Sequence, residues 1–129
     1  MSEWGLVVSA VGTMALLMLV QILVSDILGI RARHVPGAPV TADHGNVLFR
    51  ASRVVANTNE SIAVFILAVV FCVLAEVSSA WVGYVAWGFV IARAAYALCY
   101  YADQRVARSI VFGLSLICLA ALLGLGAFA

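Results

Sequence analysis

Arg50, Arg53, Asn57 and Glu60 follow one another at intervals of three, four and three residues. On a helix turning about 100° per residue, all four fall within roughly 80° of arc. Asn46 falls in the same arc. A second set, Arg93, Tyr96, Tyr100 and Asp103, repeats the spacing and makes a second narrow polar stripe. Guanidiniums at such positions suit a small anion with carboxylates, which Arg grips with paired hydrogen bonds. Asn57 and Glu60 suit an ammonium or amide group. A peptide-like zwitterion with extra carboxylates meets both demands. If that ligand carries a thiol, a nearby Arg favours the thiolate, which is the nucleophile.

The elements that carry these stripes belong to a membrane protein. The 129 residues are 66% hydrophobic and 10% charged, with mean hydropathy +1.16, where a soluble domain carries roughly 25% charged residues. So apolar a chain has too little polar surface to face water on all sides. Trp4 to Ser25 and Ser109 to Ala129 are uncharged runs, each long enough to span a bilayer with about 20 residues. Ser61 to Ala75 and Val77 to Ala92 are uncharged but shorter, so each must borrow polar residues to span. The pattern predicts an all-α, four-transmembrane-helix bundle forming a single domain over residues 1–129, with helices near 4–28, 45–76, 80–101 and 107–128. Gly29, Pro36, Gly37 and Pro39 break the chain between the first two helices, and Val77-Ser78-Ser79 makes a tight turn. The N-terminus lacks a basic region, and the first run exceeds a signal h-region of roughly 7–15 residues; it is expected to remain as a helix.

Orientation follows from Arg, because the chain has no Lys. Arg31, Arg33, Arg50, Arg53, Arg105 and Arg108 flank the first and third linkers. The positive-inside rule puts those linkers in the cytoplasm and both termini in the periplasm of a bacterial inner membrane. Trp4, Trp81 and Tyr84 then fall at the outer interface. A nucleic-acid surface is excluded: the net charge is +1 and the cations hug apolar runs. Cys72, Cys99 and Cys118 have no metal or redox spacing, and His34 and His44 sit in a linker without partner spacing, so no metal site is expected.

Counting back from the 77–79 turn puts Glu60 level with Arg93 and Tyr96, and Asn57 level with Tyr100. The expectation is that Glu60 pairs with Arg93 or Tyr96 deep in the membrane. A charge near the bilayer centre costs about 3 kcal/mol or more, and pairing seldom makes it better than apolar packing. Retaining these groups points to a site, with a structural network that fixes helix register as the plain alternative. Arg108 opens the fourth helix and either faces the same cleft or snorkels to headgroups. Arg31 and Arg33 read as topology determinants. Asp26 reads as a partner for a neighbouring Arg or as reaching water.

At these residues the sequence resembles the MAPEG family, the membrane-associated proteins in eicosanoid and glutathione metabolism. The stretch R-A-S-R-V-V-A-N-T-N-E at 50–60 is similar to the family's R-x2-R-x3-N-x2-E signature, and A-R-A-A-Y-A-L-C-Y at 92–100 to its R-x2-[YH]-x3-Y element. The resemblance implies a homotrimer with glutathione as co-substrate between neighbouring subunits. It implies glutathione contacts or their supports at Arg50, Arg53, Asn57, Glu60, Arg93, Tyr96, Tyr100 and Arg105. It further implies that the thiol-activating Arg is Arg108, with Ser109 beside it, and Arg105 as the second match. Ala56 and Phe112 stand where one eukaryotic branch has Arg and Tyr, so prostaglandin-type isomerase activity is not implied.

The expected function is a glutathione-dependent membrane transferase or peroxidase acting on lipophilic electrophiles or hydroperoxides. The alternative is a non-catalytic lipid-binding or scaffold protein on the same fold. A four-helix multidrug exporter fits the length, but such exporters hinge on a carboxylate in the first helix, and Trp4 to Ser25 has none.

Overall fold

The computed structural model describes residues 3–129, and Met1 and Ser2, part of the N-terminus read above as lacking a basic region, lie outside the described residues. Four helices make up the architecture: α1 (Gly5–Arg31), α2 (Val47–Leu74), α3 (Ser79–Tyr101) and α4 (Arg105–Ala127). All four are long and apolar enough to cross a membrane, and the described residues contain no strand. In a bilayer the helix is the natural solution, because it satisfies every backbone group within its own segment.

The chain runs up and down. Leu6 of α1 meets Gly83 of α3, and the Cys72 thiol of α2 donates to the Leu122 carbonyl of α4 at 3.0 Å. The linkers that arginines flank, 32–46 and 102–104, therefore share one end of the bundle, the arginine-rich end. α2 and α3 lie in the middle; α1 and α4 each pack on both of them and do not touch one another. The main core is apolar and includes Met14, Phe65, Phe89 and Leu122, with the Phe65 and Phe89 rings stacked at 4.5 Å. A second, smaller core gathers Val54, Tyr96, Ala97 and Tyr100 near the arginine-rich end. Elsewhere large apolar side chains face outward, Leu67, Ile91 and Ile117 among them, as lipid-facing positions require.

Helix ends depart from the expected limits by a few residues, for reasons of backbone hydrogen bonding. α1 continues through Arg31, and α4 starts at Arg105, ahead of the expected 107. Asn46 caps α2, its side chain accepting from the Leu48 N–H at 2.9 Å. The other ends close without glycine. After α2, the Glu76 N–H donates to Val73 and the Val77 N–H to Cys72, the paired bonds of a Schellman motif. The same pair follows α1 at Arg33 and His34, and α3 at Asp103 and Gln104. Arg33, Glu76 and Asp103 hold φ of 54°, 55° and 57°, a left-handed conformation that is costly for a residue with a Cβ.

Two predictions follow from these contacts. Glu76→Gly relieves the left-handed penalty and should raise the melting temperature in detergent, by about 1 kcal/mol of stability; a lower melting temperature would contradict the strain. A Cβ on Gly83 would lie 2.6 Å from Leu6 Cβ, whereas one on Gly126 would meet the Phe71 ring at 2.5 Å. Leu6 Cβ cannot swing clear, but the half-exposed Phe71 ring can. Gly83→Ala should therefore destabilise by about 1–3 kcal/mol and Gly126→Ala by clearly less, and equal losses would refute the close α1–α3 approach.

Candidate functional site

The site is assembled from one buried charge outward. Arg93 lies on the inward face of α3 with Phe89, Tyr96, Ala97 and Tyr100, and it is 0% exposed. Its Nη2 donates to Asn57 Oδ1 at 2.8 Å and to Thr58 Oγ1 at 3.2 Å. Its Cζ lies 4.3 Å from the centre of the Tyr96 ring, a cation–π contact. Among the described residues no carboxylate lies within ion-pair distance of it, and its Nε and Nη1 have no partner there. A guanidinium removed from water without a counter-ion is strongly unfavourable, so the site favours an anion.

The expected pairing of Glu60 with Arg93 or Tyr96 is corrected by this geometry. The buried face of α2 runs through Ala51, Val54, Thr58, Phe65 and Cys72. At about 100° per residue, Glu60 points roughly 160° away from Thr58, and Asn57 roughly 100° away. Glu60 is exposed on the flank, and Asn57 with Thr58 takes the place it was expected to fill. Asn57 is thus bonded by Arg93, which stands seven residues, about two turns of α3, from the Tyr100 of the counted register. The two stripes are therefore unequal: that of α3 faces inward, and that of α2 lies along the side of the bundle that borders α4.

Asn57, Tyr96, Arg108, Ser109 and Phe112 line an open cavity of about 210 Å³. The Arg108 Cζ sits 4.2 Å above the Tyr100 ring, and its buried Nη1 has no partner among the described residues. Tyr96 packs at 5.6 Å from the Tyr100 ring and 6.0 Å from Phe112. Because Asn57 Oδ1 accepts from Arg93, its amide N–H groups remain to donate to a ligand carboxylate or carbonyl. Ser109 sits at the rim, its hydroxyl donating to the Arg105 carbonyl at 3.1 Å, with its lone pairs free. A second cavity of about 420 Å³ continues from Asn57 and Phe112 along the α2–α4 groove, past Glu60, Val64, Leu116 and Leu123. Apart from Asn57, Glu60 and Ser61 its walls are apolar.

The remaining expected residues stand further out. Arg53 is half-buried on the α2 flank. Arg50 turns to the backbone: Nη1 donates to the His44 carbonyl at 2.7 Å and Nη2 to the Tyr101 carbonyl at 3.2 Å. It therefore fastens the 32–46 linker to the end of α3. Arg105 has a side chain 71% exposed, and its Nε lies 3.9 Å from Asp103, outside the cavity lining.

Three residues escaped the sequence reading. Thr58 is a neutral hydroxyl one place beyond the stripe, with no periodic signal. His44 Nε2 lies 3.0 Å from the Tyr100 hydroxyl, a partner 56 residues away that no spacing could reveal. Gln21 is buried on the otherwise apolar face of α1 shared by Val7, Ala10 and Met14, and its amide has no partner among the described residues; the uncharged run around it hid it. Among the described residues no cluster of His, Cys, Asp or Glu could hold a metal.

The whole bundle, and not the site alone, has a counterpart among known families. The chain matches no curated protein. The model of the MAPEG family, however, matches residues 7–128, spanning all four helices and both polar stripes. The chain therefore belongs to the MAPEG family and is a multi-pass membrane protein of the glutathione and eicosanoid metabolism kind.

Proposed function

We propose that the protein is a glutathione-dependent transferase or peroxidase acting on lipophilic electrophiles or hydroperoxides within the bilayer. The observation that carries this reading is the meeting of two cavities at Asn57 and Phe112, one edged by the Arg108 guanidinium and one mainly apolar. The first suits a charged thiol peptide. The second suits a co-substrate arriving from the acyl chains.

Each residue then has a task. Asn57 holds the carboxylates and amides of glutathione, oriented from behind by the buried Arg93, with Tyr96 as a wall and Arg53 and Glu60 at the flank. Arg50 and Tyr100 support the site by fastening its edges. Arg108 stabilises the thiolate, with Ser109 beside it and Arg105 adding positive potential at the rim. The start of α4 strengthens this assignment. A helix N-terminus already carries partial positive charge, so Arg105 and Arg108 oppose their own helix dipole there. Together the dipole and the two cations favour an anion. Bound glutathione supplies the nucleophile: its sulfur forms a bond to the electrophilic carbon, and the leaving group departs with the electron pair. With a hydroperoxide the sulfur takes the terminal oxygen, an alcohol leaves, and a second glutathione reduces the sulfenate to disulfide and water.

The protomer alone supplies an open half-cleft, and about 210 Å³ falls short of the roughly 300–1,000 Å³ usual for ligand sites. Glu60 is exposed at membrane depth, where an unpaired carboxylate costs about 3 kcal/mol. Both facts support a homotrimer in which neighbouring copies close the cleft and cover the α2 flank. The arginine-rich end faces the cytoplasm of a bacterial inner membrane, and both termini face the periplasm.

A second reading has its own support. The apolar cavity is about 420 Å³, twice the polar one, which suits lipid binding or a scaffold role without turnover. Saturable lipid binding with no thiolate from glutathione would favour it.

Two substitutions test the first reading. Arg108→Ala should leave glutathione bound and the protein folded, yet abolish the ultraviolet thiolate absorbance and lower conjugation about 10²–10³-fold; unchanged conjugation would reject Arg108. Ala120 of α4 also lines the apolar groove, and Ala120→Trp should narrow it, raising KM for the lipophilic substrate severalfold while the thiolate signal persists; an unaltered KM would reject that groove as the entry route.

A further inference from the structure

The tie between His44 and Tyr100 has no place in the roles assigned so far. His44 precedes α2 by three residues and lies in the linker that crosses the arginine-rich end of the bundle. Its Nε2 is 3.0 Å from the Tyr100 hydroxyl, and the two rings are nearly parallel, at 15°. A hydrogen bond made at the hydroxyl leaves the face of the Tyr100 ring open, and the Arg108 guanidinium lies 4.2 Å above that ring. His44 is itself held: Phe49 of α2 meets its ring edge-on at 5.0 Å. Arg50 donates to its carbonyl at 2.7 Å and to the Tyr101 carbonyl at 3.2 Å. A continuous set of contacts thus runs from Arg50 through His44 and Tyr100 to Arg108.

We propose that His44 is a positioning residue of the thiol site, fixing Tyr100 so that the face of its ring holds the Arg108 guanidinium where thiolate must be stabilised. This rests on the glutathione reading above. Tyr100 is buried, so without His44 its hydroxyl loses its partner, and a buried hydroxyl without one costs about 1–3 kcal/mol. The ring turns toward water to recover a bond, and Arg108 loses its support. His44 is exposed and buries little area, so its removal disturbs this link more than it disturbs packing.

The test follows thiolate absorbance against pH in the full-length protein saturated with glutathione. His44→Phe keeps an aromatic ring beside Phe49 but cannot bond Tyr100. It should raise the apparent pKa of the bound thiol by about one unit, a tenfold loss of thiolate, with the affinity for glutathione far less changed. His44→Gln restores a polar partner and should recover most of the thiolate. His44→Ala removes the same bond with a smaller side chain and should reproduce the shift, which keeps the test decisive if His44→Phe fails to fold. A titration unshifted in His44→Phe or in His44→Ala would overturn the role of His44 alone, as would a Gln variant no better than the Phe variant. Absence of thiolate in the unsubstituted protein would overturn the glutathione reading and this proposal with it.

Discussion

A guanidinium sealed inside the protomer without a carboxylate is the constraint around which the rest is arranged. Arg93 is 0% exposed and sits where an apolar residue would pack at far lower cost. Its surroundings compensate in part. Asn57 and Thr58 accept from it, and Tyr96 offers the face of its ring. These are neutral partners, so positive charge persists at that depth. An apolar bundle that retains such a charge, beside unpartnered donors on Arg93 and Arg108, is organised for an anionic guest.

The same constraint explains features that look contrary to local preference. Cations oppose the dipole at the start of α4, and α3 buries Tyr96 and Tyr100 beside Arg93 on its inward face. Where local rules are broken together at one end of a molecule, a functional site is the usual reason. Stability is supplied elsewhere, by the apolar core of Met14, Phe65, Phe89 and Leu122 and by the close α1–α3 approach at Gly83. The division is physical: one end is packed for cohesion, and the other is left open and polar.

Much of this was legible in the sequence. Uncharged runs located the outer helices, and three-and-four spacing found both polar stripes, because each signal is local. The fold followed from length and hydropathy alone. What stayed hidden depends on how helices face one another. Spacing sets the width of the α2 stripe but not its azimuth, so Glu60 was expected against Arg93 and stands on the flank. Arg50 read as a ligand contact because a bond from Arg to a distant carbonyl leaves no pattern. His44 and Thr58 lay off the stripes altogether.

The most direct measurement is an experimental structure of the protein with glutathione bound in a lipid environment. The account predicts the ligand in the cleft beside Arg93 and Asn57, its sulfur within hydrogen-bonding reach of Arg108, and a second copy closing the open side. Glutathione seated away from Arg93 and Asn57, or a cleft filled by lipid at saturating glutathione, would contradict it.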